Sequence, residues 1–596
     1  MSTLEATPPT AVHRRPARGV PWWVEALGLL LAPGIVAVLL RLTPMSVGLQ
    51  TRWTMVDPNF STAYARHGAD LIERFGTADY FWVRVGQILP AHLAQLAFGD
   101  VGGFVVLRYA FALLATVPVY LWLRRRSLSA GALAVVVILT SPVVAMAWGS
   151  DYPDGAALAY LLAGLPLLVF PTTGARRLVA RGLAGVFLGL AVHAHPAAFP
   201  LVAAALLAVL VSGWSRHAGV RRARTRRVVV ELAAVVLGIV AATGLAVLGA
   251  LLVYGRADLF GPTVDQLLRL QRPDQIRLWH STTWAWAQRA TYLLVPPAVV
   301  IAWAWRCARR RRRTGEWPPR GDAVVVLGSG LGLLAFLAIQ ASSGFTLEYY
   351  FYSSLLWAGA CLTTALLLSA VSSSWWPVVA VLGLAVLQSW TGSPRFGVVP
   401  VGLAVAVVVV VAAVVAGGPR RRAASVLVVT VGLVLLTTGQ PSTAYAPGQV
   451  RYPLADYGAV GGHPDRSAVT AYSTMASVVD VVPRAPVRAL TWVEPPAAGS
   501  LPDEVPSRAA AQYLGPVHGL SSSMPALSAA DRKKLDAAPG AQVILLGSRG
   551  TTFAAARAAL APWSPSVETE AVVDGTLHVE VLRLGATAGA PATSPR

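Results

Sequence analysis

From Trp22 to about Gly439 the chain alternates long apolar stretches with short polar ones, and beyond Gln440 it changes to ordinary mixed composition. Apolar runs of roughly seventeen or more residues are long enough to cross a ~30 Å hydrocarbon core as helices. The pattern predicts spans at Trp22–Leu42, Gly103–Leu123, Ser129–Ala147, Asp154–Pro171 and Val228–Tyr254. It continues with Ala290–Arg306, Ala323–Ala341, Tyr350–Val371, Trp375–Trp390, Phe396–Ala416 and Ala424–Thr438. Leu183–Gly213 starts and ends beside basic segments and must turn once. The break falls at His193-Ala194-His195-Pro196, because proline removes a backbone donor and disfavours helix just before itself. The expected fold is therefore a polytopic α-helical membrane protein of about 13 transmembrane helices.

Two further segments have helical periodicity without spanning length. Phe60–Phe75 and Ile88–Phe98 read as helices lying in the membrane interface, within an outer loop of residues 43–102. The tail, residues 440–596, shows strand-like runs at Pro486–Glu494 and Gln542–Leu546 and a helical run at Thr552–Trp563. A hairpin is expected to follow, Val567–Val573 and Thr576–Leu584, turning through Asp574-Gly575. That order predicts a small extracytoplasmic α/β domain.

Charge fixes the sidedness. The net charge of +21 would suggest nucleic acid in a soluble chain, but its distribution points elsewhere. Basic residues concentrate in alternate loops, at Arg14–Arg18, Arg124–Arg126, Arg176–Arg181, Arg216–Arg227, Arg306–Arg313 and Arg420–Arg422. With Arg320 these hold 25 of the 49 Lys and Arg but only 5 of the 28 acids. Placing them in the cytoplasm follows the positive-inside rule and accounts for almost the whole excess. Contact with anionic lipid is a secondary benefit, and no nucleic-acid partner is expected. Residues 1–21 are then a cytoplasmic tail, residues 22–439 the transmembrane region, and the C-terminus lies outside a cell membrane. Mean hydropathy is +0.58, and with only two cysteines no disulfide is expected in the tail.

Acids are scarce in the transmembrane region, and ionisable groups at a membrane are costly and usually functional. The predicted outer ends carry Asp57, Asp70, Asp79, Asp151, Asp154, His193, His195 and Glu348, together with Arg84, Arg269, Arg272 and Arg277. Carboxylates and arginines on one level suit a reaction at a lipid-linked phosphate. Arginines hold phosphate oxygens, and a carboxylate takes the proton of an attacking hydroxyl.

The first outer loop, Val56-Asp57-Pro58-Asn59-Phe60 through Gly76–Arg84, resembles that of the superfamily C glycosyltransferases. Protein O-mannosyltransferases and the lipid A aminoarabinose transferase are the nearest in kind. Further resemblance lies in Trp148–Asp154 as a second acidic loop and in Gly185–Pro196 as a span-to-span turn. It covers roughly residues 20 to 440 as architecture. It implies an inverting transfer of a sugar from a polyprenyl-phosphate donor to an extracytoplasmic glycan, lipid or protein, with the bilayer as a further partner. By the same resemblance Asp57 is the general base, and Asp151 or Asp154 is a second acid positioning acceptor or metal. Arg84, or one of Arg269, Arg272 and Arg277, holds the lipid phosphate. His193, His195, Glu348 and Tyr349 stand near the substrate. A divalent metal, Mg or Mn, would use Asp57 and Asp151. Many members have two adjacent acids where this chain has Asp57 followed by Pro58. A transporter or flippase of lipid-linked precursors, and a non-catalytic envelope assembly protein, are the alternatives.

Overall fold

Among the described residues, helices form where the apolar runs lack a break. α1 (Trp22–Leu39), α4 (Asp100–Arg124), α8 (Gly174–Ala194), α9 (Phe199–Gly213) and α10 (Ala218–Tyr254) all follow the predicted spans. So do α7 (Pro153–Val169), α12 (Val295–Thr314), α13 (Arg320–Ser343), α14 (Trp357–Val371) and α15 (Trp376–Thr391). The computed structural model describes residues 20–40, 56–75, 82–149, 153–213, 218–270, 293, 295–343, 350–371 and 375–391. In the tail it describes 477–484, 489–495, 519–573 and 577–585, with a few positions before 519. The spans predicted at Phe396–Ala416 and Ala424–Thr438 lie outside these residues, as does the Asp574-Gly575 turn. Among the described residues five helices are long and apolar enough to cross a membrane, and several shorter apolar helices accompany them. Large side chains such as Leu237, Val240 and Leu252 of α10 stay exposed, as expected where lipid is the solvent. The protein is a multi-pass membrane protein.

The structure corrects three boundaries. Ser129–Ala147 is not one helix but two, α5 (Leu128–Leu139) and α6 (Pro142–Gly149), because Pro142 interrupts the hydrogen-bond ladder. Arg176, Arg177 and Arg181 belong to α8 rather than to a loop, so this span is 21 residues long and not short. The arginine runs up to Arg227 and Arg313 likewise continue their helices. Arginine is a good helix former, so it lets a span extend past the apolar region while its charge returns to water.

Between α8 and α10 the packing is backbone on backbone. A Cβ at Gly185 would lie 2.0 Å from the Val235 carbonyl oxygen, and one at Gly238 would lie 2.1 Å from that of Gly182. Small residues allow this approach in lipid, where no hydrophobic force draws helices together. The helices run parallel, with Arg181 beside Glu231 at one end and His193 bonded to Thr243 at the other. Glu231 and Thr243 are twelve residues apart, so these ends are separated by ~18 Å.

Loop one is helical as predicted, in α2 (Val56–Phe75) and α3 (Val85–Phe98). Ala63, Tyr64, Ala65, Leu71 and Ile72 are buried while Arg66 is exposed. The Tyr254 hydroxyl, at the end of α10, donates to the Tyr64 carbonyl at 3.2 Å. The ring packs where Gly68 has no side chain, since a Cβ there would lie 2.1 Å from it.

The tail is a four-stranded mixed sheet in the order β1-β2-β4-β3. β1 (Ala489–Val493) pairs parallel with β2 (Gln542–Ser548), and β4 (Leu577–Arg583) lies antiparallel between β2 and β3 (Ser566–Val573). Two helices cover one face, α16 (Ala529–Asp536) and α17 (Ala554–Leu560), around Trp492, Val543, Leu545 and Leu582. Helix α16 was not foreseen, although Ser528 and Asp531 form a capping box at its start. From the opposite face Ala489, Ile544, Leu546, Val579 and Val581 join the same core cluster as loop one and the membrane helices. Burial on both sides is why these strands read as continuous apolar runs. β1 reaches α2, and Arg484 pairs with Asp70 at 3.3 Å.

Candidate active site

Three breaks in regular structure meet at the end of the bundle that carries loop one. The first is the entry to α3. Arg84 is its N-cap residue, and its side chain is only 2% exposed. Gly86 sets the position, because a Cβ there would lie 2.5 Å from the Leu190 carbonyl and 2.6 Å from the Ala194 nitrogen. The Tyr160 hydroxyl of α7 donates to the Gly86 carbonyl at 2.9 Å. The backbone beside Arg84 is thus fixed against α7 and α8.

The second break is the end of α8. His195 leaves the helix with extended backbone and caps a 3-10 turn, Pro196–Ala198. Its Nδ1 accepts the Ala197 N–H at 3.2 Å, so in the neutral ring the proton sits on Nε2. The ring is buried, stands edge-on to Tyr352 with centroids 5.1 Å apart, and lies within electrostatic reach of Arg84. His193 does not share this cluster. Its Nε2 lies 3.0 Å from the Thr243 hydroxyl, and its ring faces Phe260.

The third break combines the start of α7 with the turn ahead of α14. Asp154 stands in the first turn of α7 and is fully buried, where the helix dipole favours a negative charge. Ser354, in a 3-10 turn (Ser354–Leu356), donates to Asp154 Oδ2 at 3.0 Å. Gly155 permits the close return of the chain, since a Cβ there would lie 2.3 Å from the Ala147 carbonyl. Trp82 Nε1 and Gln87 Oε1, both buried beside Arg84, have no hydrogen-bond partner among the described residues.

A buried cation, a buried carboxylate, an imidazole N–H and a serine hydroxyl are therefore linked through Arg84, His195, Tyr352, Ser354 and Asp154. A guanidinium in such low dielectric binds an oxyanion strongly, and a neighbouring carboxylate orients or deprotonates a hydroxyl. Of the residues expected from sequence, Arg84, His195 and Asp154 come together. Asp57 lies in the first turn of α2 and Arg269 in α11 (Gly261–Leu270), but their side chains are outside the described residues, as are Asp151, Arg272, Arg277, Glu348 and Tyr349 altogether. Tyr352 and Ser354 were missed, and the aromatic and hydroxyl run that follows Glu348 was the available signal. Among the described residues no three His, Cys, Asp or Glu side chains gather as a metal site.

No family model matches the chain, and no curated protein matches it. Solved structures do. It is similar to ArnT from Cupriavidus metallidurans bound to undecaprenyl phosphate, at 16% identity and a TM-score of 0.45 over 93% of this chain and 98% of that one. The archaeal oligosaccharyltransferase AglB from Archaeoglobus fulgidus, in complex with an inhibitory peptide and a dolichol-phosphate, matches at 12% identity and 0.45, over 96% of this chain and 76% of that one. The arabinosyltransferase EmbB from Mycobacterium smegmatis matches at 15% identity and 0.35, over 72% and 42%. With TM-scores below 0.5 these carry no residue-by-residue correspondence, and the functional reading rests on this chain's own side chains.

Proposed function

We propose that this protein is an inverting membrane glycosyltransferase that moves a sugar from a polyprenyl phosphate to an acceptor outside the cytoplasm. The observation that carries the reading is the buried cluster of Arg84, His195 and Asp154 at the end of the bundle opposite the arginine runs. A lipid phosphate entering from the bilayer would meet Arg84 there, and the membrane-embedded wall would keep its prenyl chain in lipid. ArnT and AglB are recorded with lipid phosphates of the class that this reading assigns to the donor.

In the reaction the acceptor hydroxyl oxygen attacks the anomeric carbon as the bond from that carbon to the phosphate oxygen breaks. The phosphate keeps the bonding electrons, and Arg84 offsets the charge that develops on it. The acceptor proton goes to a carboxylate, to which we assign Asp57, while Asp154, held by Ser354, orients the acceptor. Attack opposite the leaving group inverts the centre. Asp57 and Asp151 would be the ligands of a divalent metal if one takes part. The outward placement of this end follows from the positive-inside rule.

The test uses membranes supplied with polyprenyl-phosphate sugar labelled in the sugar. Asp57→Asn is expected to abolish transfer while the protein stays folded and keeps its lipid-phosphate affinity. Undiminished transfer to every acceptor that the wild type uses would remove Asp57 from the mechanism.

A further inference from the structure

The opposite end of the bundle holds a second charged constellation that the transfer reaction does not use. A cavity of about 350 Å³ opens there between the end of α7, the start of α8, α10 and the start of α13. Arg177, Arg181, Arg227 and Arg320 line it, against Glu231 as the one acid among the described lining residues. Glu231 is nearly buried and is shared by Arg227 at 3.0 Å, Arg177 at 3.6 Å and Arg181 at 3.7 Å. Sequence makes the imbalance stricter, since Glu231 is the sole acid between Asp154 and Asp258.

One carboxylate balances one guanidinium, so the lining keeps an excess of about three positive charges when its arginines are protonated. Arg177 and Arg320 both lie close enough to Arg181 to repel it, and Arg181 is only 7% exposed. Like charges gathered in a partly dry site are costly unless an anion joins them. Uncommitted donors are present as well. α8 opens at this cavity with Thr173 as an N-cap that makes no side-chain cap bond, which leaves first-turn N–H groups without that partner. The buried Thr172 hydroxyl has no hydrogen-bond partner among the described residues.

We propose that this cavity is an anion site for a phosphate group presented at the arginine-rich membrane edge, filled by the headgroup of an anionic phospholipid. Its position suits a lipid, because the exposed apolar faces of α8 and α10 lead away from it into the bilayer. The bound headgroup would tie α7, α8, α10 and α13 together at the end remote from the reaction.

Thermal unfolding of the full-length protein in detergent tests this, with phosphatidylglycerol, phosphatidylcholine or inorganic phosphate added. Phosphatidylglycerol is expected to raise the midpoint by several degrees, and phosphatidylcholine to leave it unchanged. The double variant Arg177→Gln, Arg320→Gln should lose that rise, and native mass spectrometry should find one bound phosphatidylglycerol fewer. An equal rise with inorganic phosphate, also lost in the variant, would keep the site and assign it to free phosphate. Thr172→Val retains every arginine and serves as the second variant should the double one fail to fold; it is expected to bind phosphatidylglycerol more weakly. An unchanged rise in the variants, or the same rise with phosphatidylcholine, overturns the proposal.

Discussion

The two ends of the helix bundle both bury arginine, but they arrange it differently. At the basic end Arg181 is fixed by its neighbours, donating to the Leu167 carbonyl at 2.6 Å and facing Glu231 at 3.7 Å. At the other end the backbone around Arg84 is fixed, through Gly86, Tyr160 and Ala194, and the side chain points among groups that come from breaks in three helices. The first arrangement suits a charge that closes a structure. The second suits a charge set where several parts of the chain converge. A guanidinium is thus no sign of function by itself; what differs is the set of groups that gathers around it.

That distinction predicts a crossed result. Arg84→Gln should lower transfer by about 10²- to 10³-fold, the usual loss when one stabilising donor is removed from a developing oxyanion, with little change in thermal midpoint. Glu231→Gln should do the reverse. It leaves buried arginines without their carboxylate, a change that costs about 3–5 kcal/mol when a buried pair is broken, read as a lowered midpoint with transfer per folded molecule unchanged. If both variants lost activity and stability together, the comparison would fail.

Within the reactive end the two histidines sharpen it further. His195→Asn should reduce transfer by about tenfold or more, a modest share of general acid–base and positioning effects. His193→Asn, which keeps a polar partner for Thr243, should change it less than twofold. Both are read as initial rates with labelled donor.

The tail offers a pH test. Burial alone would raise the Asp531 carboxyl, but hydrogen bonds from Ser522, Ser528 and Ser521 outweigh it and hold the group well below the usual carboxylate range. Its contribution is therefore complete above the ordinary aspartate value and is lost as pH falls through the lower folded one. Hydrogen exchange across residues 519–536 should show protection falling on acidification in the wild type, and a smaller acid response in Asp531→Asn. The smallest effect is expected at the tail's contact with loop one. Arg484 is 81% exposed on its side chain, so Arg484→Ala should cost no more than about 1 kcal/mol and leave transfer nearly unchanged.

Much of this layout is legible in sequence. The spans follow from apolar length, and the break at His195-Pro196 follows from proline chemistry. The strands of the tail follow from their apolar runs, and the β3–β4 pairing from the Asp574-Gly575 dipeptide between them. What sequence conceals is how helices end. Arginine continues a helix as readily as it leaves one, so the runs before Arg227 and Arg313 read as loops and are not. Proximity was concealed too. Asp154 and Ser354 are 200 residues apart, and no local pattern links them. The nearness of His193 and His195 to Pro196 gives no hint that one turns inward and the other toward α10.

The shared core of loop one and the tail sheet bears on how the protein is made. A nascent chain delivers α2 early and the strands that cover it more than 400 residues later. Until then the part of loop one that meets β1 has no tail sheet against it. A product cut short before β1 would therefore keep its membrane helices and leave that share of the common core uncovered.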